Sequence, residues 1–126
     1  MRNFQIFTAG VGELSDIIRA KILEGLENLG IKYDPEKNRL ARTRNAELDI
    51  SENNSPVKIF IIPTDEELVF VEDVVALLEG TYDLHTNFRY TFQDPDYKNL
   101  MRENSFEKEC KENPDLVKIQ ANINNK

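Results

Sequence analysis

Histidine and cysteine are almost missing from this chain, which carries one of each in 126 residues. A lone Cys110 excludes an internal disulfide and offers no zinc-ligand pair, and a lone His85 adds no second ligand. Both read as incidental. Basic residues are outnumbered: 16 Lys and Arg stand against 23 Asp and Glu, for a net charge of −7. That balance speaks against a nucleic-acid partner, whose phosphates need clustered cations. The one basic cluster, Arg39, Arg42 and Arg44 in "RLARTR", sits beside turn residues and reads as a solvated loop. Apolar runs are short, and "IFII", residues 59–62, is far from long enough to span a bilayer. No secretory n-region and h-region opens the chain, so a cytoplasmic location is expected. There is no internal repeat and no low-complexity tract.

What is present suits one α/β domain, or a piece of one. The 40% hydrophobic content allows a modest core, and the 31% charged content suits a wet surface. "NFQIFTAG" reads as a strand ending in a glycine turn. Ser15 is placed to cap a following helix, with Asp16 in its first turn. Ile18, Ile22, Leu26 and Leu29 recur at helical spacing, Ile17 and Leu23 widen that stripe, and Gly30 stands where a left-handed terminator belongs. "IKYDPEKN" is a short extended piece entering an Asp-Pro turn. "AELDI" and "VKIFII", separated by "SENNSP", read as a hairpin whose second strand is buried on both faces.

"PTDEELVFVEDVVALLEG" starts a second helix with a capping box between Thr64 and Glu67. Leu68, Val71, Val75 and Leu78 form its apolar seam, Phe70 and Val74 widen it, and Gly80 ends it. Beyond it, Phe88, Tyr90 and Phe92 alternate in "NFRYTFQ", as an edge strand or an extended strap would. Asp94 with Pro95, and then Asn113 with Pro114, look like helix starts. The closing "ANINNK" reads as frayed. Two amphipathic helices and a buried strand leave apolar faces that 126 residues do not obviously cover, and the first strand follows Met1 closely. The expectation is that more protein packs here, supplied upstream or by a partner.

Two places could carry chemistry. Gly10 and Gly12 lie between a strand and a helix start, where the missing side chains admit a polar or anionic ligand. Alone, that pattern reads more readily as a plain tight turn. The Lys-Ser/Thr of a P-loop is absent, as is the third glycine of a dinucleotide fingerprint. Glu66, beside Asp65, is a carboxylate at a strand-helix junction. Magnesium is held at such places through one or two protein oxygens plus water and phosphate, although a carboxylate there also simply suits the helix dipole.

Together, "FTAGVGELSDIIRAKILEGLENLGIKYDPEKN", "AELDIS" and "VKIFIIPTDEEL" resemble the C-terminal end of the acetate kinase family over residues 4–78. That family shows F-T-A-G-I-G-E-N, then G-I-K-x-D-x-x-K-N, then P-T-N-E-E-L. The resemblance implies part of a ribonuclease H-like α/β domain of the actin and sugar-kinase type, over residues 1–80, with an extra extended and helical tail over 81–126. It implies that Gly10, Val11, Gly12, Glu13 and Leu14 contact the adenosine part of ATP, that Ile18 lines the adenine pocket, and that Glu66 is the magnesium-associated glutamate. Leu14 and Asp65 each stand where the family has Asn. The tail has no counterpart in the ordinary family pattern. The implied reaction phosphorylates acetate with ATP to give acetyl phosphate and ADP, in a homodimer. The family's catalytic arginines, histidine and aspartate lie upstream, and Arg19, Arg39, Arg42 and Arg44 match none of them. Inactivity of the isolated chain is therefore expected, with the remainder of the kinase as its partner. Alternatives are a non-catalytic remnant or split subunit that packs and binds nucleotide, and a kinase of propionate or butyrate.

Overall fold

The computed structural model describes residues 3–84 and 87–121, so His85 and residues 122–126 of "ANINNK" lie outside the described residues. Contacts gather the chain into two compact units, Met1–Pro63 with Met101–Lys126, and Thr64–Leu100. These units cut across the division at residue 80, which concerned relatedness rather than contact.

In the first unit, β1 (Phe4–Phe7), β2 (Leu48–Asp49) and β3 (Lys58–Ile61) make a mixed sheet in the order β1-β3-β2. The expected hairpin forms, with Leu48 opposite Ile61, and β1 runs parallel on the other side with Phe7 opposite Ile61. β3 thus finds neighbours on both edges, which removes the exposed edge its composition would otherwise present. Alternation sends Phe7, Leu48, Ile59 and Ile61 to one face, where all are buried. The other face stays open: Phe4 is 61% exposed and Phe60 only half-buried. Burial on both faces of β3 is therefore half realised.

The stretch between β1 and β2 departs most from expectation. The glycine turn is itself helical, α1 (Ala9–Leu14), and the long helix is short, α2 (Asp16–Leu23). Ser15 caps α2 as expected, accepting the amide of Ile18 at 3.3 Å. Gly25 then takes φ +80°, the chain makes a 3-10 turn over Glu27–Leu29, and Gly30 closes it at φ +78°. The apolar stripe is not the buried face either. Ile17, Ile18, Ile22 and Leu29 are exposed, whereas Arg19 and Leu23 are fully buried. The Asp-Pro turn is the start of a further helix, α3 (Pro35–Leu40), where Asp34 accepts the amides of Glu36 and Lys37.

Residues after 100 return to this unit. α5 (Leu100–Glu112) and α6 (Leu116–Ile119) deliver Phe106, Leu116 and Ile119 to the cluster that also holds Phe7, Leu23, Leu48 and Ile59. Gln120 then bridges to Leu48 on the outer side of β2.

The second unit is built on α4 (Glu66–Glu79). Its cap is Asp65, whose Oδ1 accepts the Leu68 amide at 3.2 Å, and not the Thr64–Glu67 pair. Gly80 ends it in the left-handed region, as expected. "NFRYTFQ" is a strap rather than a strand, closing in a 3-10 turn over Thr91–Gln93. Tyr82, Phe88, Tyr90 and Phe92 follow one another at ring separations of 5.5, 4.9 and 5.1 Å. The Tyr90 hydroxyl donates to Asp73 at 2.8 Å and the Thr91 amide to Glu72 at 3.0 Å, which ties the strap to α4. Burial first, and then the Asp73 hydrogen bond, push the Tyr90 phenol up to about 12. Asp94-Pro95 makes a turn, with the Tyr97 amide donating to the Asp94 carbonyl, and no helix begins before Leu100. The seam of α4 is uncovered: Val71, Val74, Val75 and Phe70 are exposed, and Leu78 is 84% exposed. No helix among the described residues is long and apolar enough to cross a membrane.

Candidate functional site

The bend from β1 into α1 is made by Ala9, at φ +60°, after an extended Thr8. Gly10 and Gly12 have no positive φ. A Cβ on Gly10 would meet nothing within 4 Å, and one on Gly12 would touch only Phe7, at an ordinary 3.7 Å. The fold itself thus needs glycine at neither position. Val11, Leu14 and Ile18 are all exposed, an apolar trio on α1 and the first turn of α2. Glu13 is the exception. The whole residue is buried, its Oε2 accepts from Arg44 Nε at 2.9 Å and its carbonyl from Arg19, so it presents no surface outward.

Behind this segment lies a network that sequence reasoning missed. Arg19 is fully buried and uses all five of its N–H donors. Nε donates to Asn38 Oδ1 at 2.7 Å, Nη1 to the carbonyls of Gly12 and Glu13 at 3.0 and 2.8 Å, and Nη2 to those of Asn38 and Ala41 at 2.9 and 2.7 Å. These carbonyls end α1 and α3, where helices leave oxygens unpaired, so one cation caps two helix C-termini. Burial lowers the Arg19 guanidinium to about 10, against the opposing pull of Asp16, which leaves it charged at neutral pH. Asn38 Nδ2 donates to the Asp16 carbonyl at 2.9 Å, and the Asp16 carboxylate pairs with Arg42 at 2.8 Å. The three arginines of "RLARTR" are solvated as expected, but the stretch is only partly a loop: Arg39 and Leu40 finish α3, Ala41 and Thr43 are buried, and Arg42 and Arg44 brace the segment from outside. The available signal was a cation within an apolar helix, followed by an asparagine one residue after Lys37.

At the other place, Glu66 is the first residue of α4 and is exposed. Among the described residues its carboxylate has no hydrogen-bond or ion-pair partner, whereas Asp65 is occupied by the Leu68 amide and by Asn99 at 3.2 Å. No group of three or more His, Cys, Asp or Glu that could hold a metal exists among the described residues. A magnesium ion carried on a nucleotide still fits, because such an ion takes one or two carboxylates and completes its shell from phosphate and water. Two cavities in the first unit lie elsewhere. One of about 860 Å³ is lined by Glu47, Phe106 and Cys110 among others, and one of about 450 Å³ by Leu40, Arg42 and Glu109 among others.

The profile of the acetokinase family matches residues 3–72. The chain belongs to that family. It is 55% identical over 114 residues to the acetate kinase of Treponema pallidum (strain Nichols), an alignment spanning 90% of this chain and 25% of that protein. It is 58% identical over 92 residues to the acetate kinase of Geobacter metallireducens, spanning 73% of this chain and 22% of that protein. The crystal structure of acetate kinase from Entamoeba histolytica superposes with a TM-score of 0.50 at 25% identity, covering 61% of this chain and 19% of the other. The mixed α/β architecture is thus that of an acetate kinase piece, as the resemblance implied. This chain spans about a quarter of the length of the curated relatives it matches. The family profile stops at residue 72, short of the tail, yet one relative extends further: a 114-residue alignment within 126 residues must run past Glu112, through α5.

Proposed function

We propose that this chain is the C-terminal, ATP- and magnesium-contacting portion of an acetate kinase, with residues 1–80 belonging to its nucleotide-binding domain. The observation that carries this reading is the pair of glycines the fold does not require: the space beside Gly10 is open, next to exposed Val11 and Leu14. Open backbone beside apolar side chains is what an adenosine needs, a face to pack against and peptide groups within reach. Gly10, Val11, Gly12 and Leu14 are the proposed adenosine contacts, with the buried Glu13 bracing the segment from behind and Ile18 against the base. Glu66 is the proposed ligand to the magnesium that ATP brings, through its carboxylate or through a water. When bound, that ion neutralises charge on the phosphates during transfer. The complete enzyme moves the γ-phosphoryl group of ATP to a carboxylate oxygen of acetate, yielding acetyl phosphate and ADP.

The acetate site lies in the three quarters of the relatives' length outside this chain. Its partner is then the remainder of the kinase, which fits the uncovered apolar seam of α4 and the open face of β1. That same exposure supports a second reading, a split subunit whose role is packing and nucleotide contact without catalysis of its own. An acetyl phosphate assay with ATP and acetate separates them. The chain alone is expected to give no turnover above blank. Mixed with a polypeptide carrying the remaining kinase sequence, it should restore turnover if it is the catalytic portion, and fail to if it is a packing module. Turnover by the chain alone would overturn both.

A further inference from the structure

We propose that Arg19 is the positioning residue of the nucleotide segment, acting from behind it and never touching the nucleotide. The inference rests on the nucleotide reading above and adds what holds the segment ready. Arg19 is sealed from solvent, so its role is carried entirely by the groups it binds. Two of those are the carbonyls of Gly12 and Glu13, within the proposed contact segment. Two more, of Asn38 and Ala41, belong to the end of α3. A six-residue helix such as α1 has little stability of its own. Its location is therefore set by what grips it, here a planar fork with fixed donor directions that a lysine ammonium cannot reproduce.

Asn38 completes the grip. Its side chain accepts from Arg19 and donates to the Asp16 carbonyl, so it fixes the guanidinium and the start of α2 together. The apolar cluster beneath the sheet, including Leu23, Ile59 and Phe106, shares one residue with this network, Ala41, and there only through the backbone carbonyl that accepts from Arg19. Loss of the fork should consequently displace α1 while leaving that core in place. A misplaced contact segment costs affinity even when the contacts themselves survive.

The test is titration calorimetry of magnesium ATP into the full chain, beside amide hydrogen exchange of residues 12–15. Arg19→Lys and Asn38→Ala are compared with Phe106→Leu, a core change on α5 that touches none of the network. Arg19→Lys and Asn38→Ala are each expected to weaken ATP binding by about 10-fold or more, as supporting groups behind a site typically do, and to speed exchange at residues 12–15. Phe106→Leu should lower the melting temperature yet keep affinity within about 2-fold, because a core change remote from a site leaves its geometry intact. Wild-type affinity in Arg19→Lys, or equal weakening by Phe106→Leu, would overturn the positioning role while leaving the nucleotide reading standing. Absence of binding by the wild type would overturn that reading, and this one with it. If Arg19→Lys does not fold, Asn38→Ala decides by the same two readouts.

Discussion

The two compact units of this chain are built on opposite terms. The first gathers eleven buried apolar residues from the sheet, α2, α5, α6 and the intervening loops, and adds a fully satisfied buried cation. The second, residues 64–100, buries only Ala76 and Tyr90 among its described apolar residues, and relies on a helix cap, a row of aromatic rings and two carboxylates. A glycine-rich contact segment held by the first unit inherits a rigid support. The acidic helix start in the second depends on local chemistry at one end of α4. The lesson is that the proposed adenosine contacts and the proposed metal ligand stand on supports of very different strength.

That contrast can be broken most forcefully in the first core. Leu23→Ala should cost about 2–5 kcal/mol, because it empties a fully buried site in a closed cluster. A denaturant melt monitored on the sheet would check it, and a loss well below that range would mean the core is less cohesive than its burial indicates. In the second unit, alkaline titration is the sharper probe. Tyr90 titrates near 10 when unfolded and near 12 in place, so its neutral form is favoured by folding. Its contribution is complete below pH 10 and disappears as pH rises through about 12. Tyrosine fluorescence should then show the strap loosening over that window, and Tyr90→Phe should remove the hydroxyl's share of the transition.

Smaller effects sharpen the comparison further. Asp65→Ala should destabilise α4 by about 1 kcal/mol, whereas Asp65→Asn should change little, since either side chain caps well. Helicity measured by circular dichroism distinguishes the two. This also gives Asp65 a role independent of any metal. Smallest of all, Leu78→Glu should alter the stability of this chain by no more than about 0.5 kcal/mol, because Leu78 packs on almost nothing within it. A larger loss would show that the seam is covered.

The hairpin, β1, the Ser15 cap and the terminators Gly30 and Gly80 were legible in the sequence because each rests on local chemistry. The stripe of α2 was misread for a physical reason. Periodicity reports which residues avoid water but not what shields them, and the side facing this chain's own core is the one bearing Arg19 and Leu23. The two Asp-Pro pairs make the same point. Asp34-Pro35 opens a helix because Lys37 reaches the Ser51 carbonyl at 2.7 Å and Asn38 reaches Arg19. Asp94 instead accepts the Asp96 amide on its side chain and the Tyr97 amide on its carbonyl, and the pair closes into a turn. Of the candidate site, the glycines and Glu66 were visible through the family resemblance. Arg19 was not, because a single cation within an apolar helix does not show in the sequence which carbonyls it will grip.

The account turns on whether the unobstructed backbone at Gly10 is there for a nucleotide. Magnesium ATP titrated into the wild-type chain and into Gly10→Val tests this directly, with a thermal melt of each. The account predicts saturable binding by the wild type, and for Gly10→Val an unchanged or slightly higher melting temperature with binding abolished. Equal affinity in the two proteins, or no heat from a well-folded wild type, would contradict it.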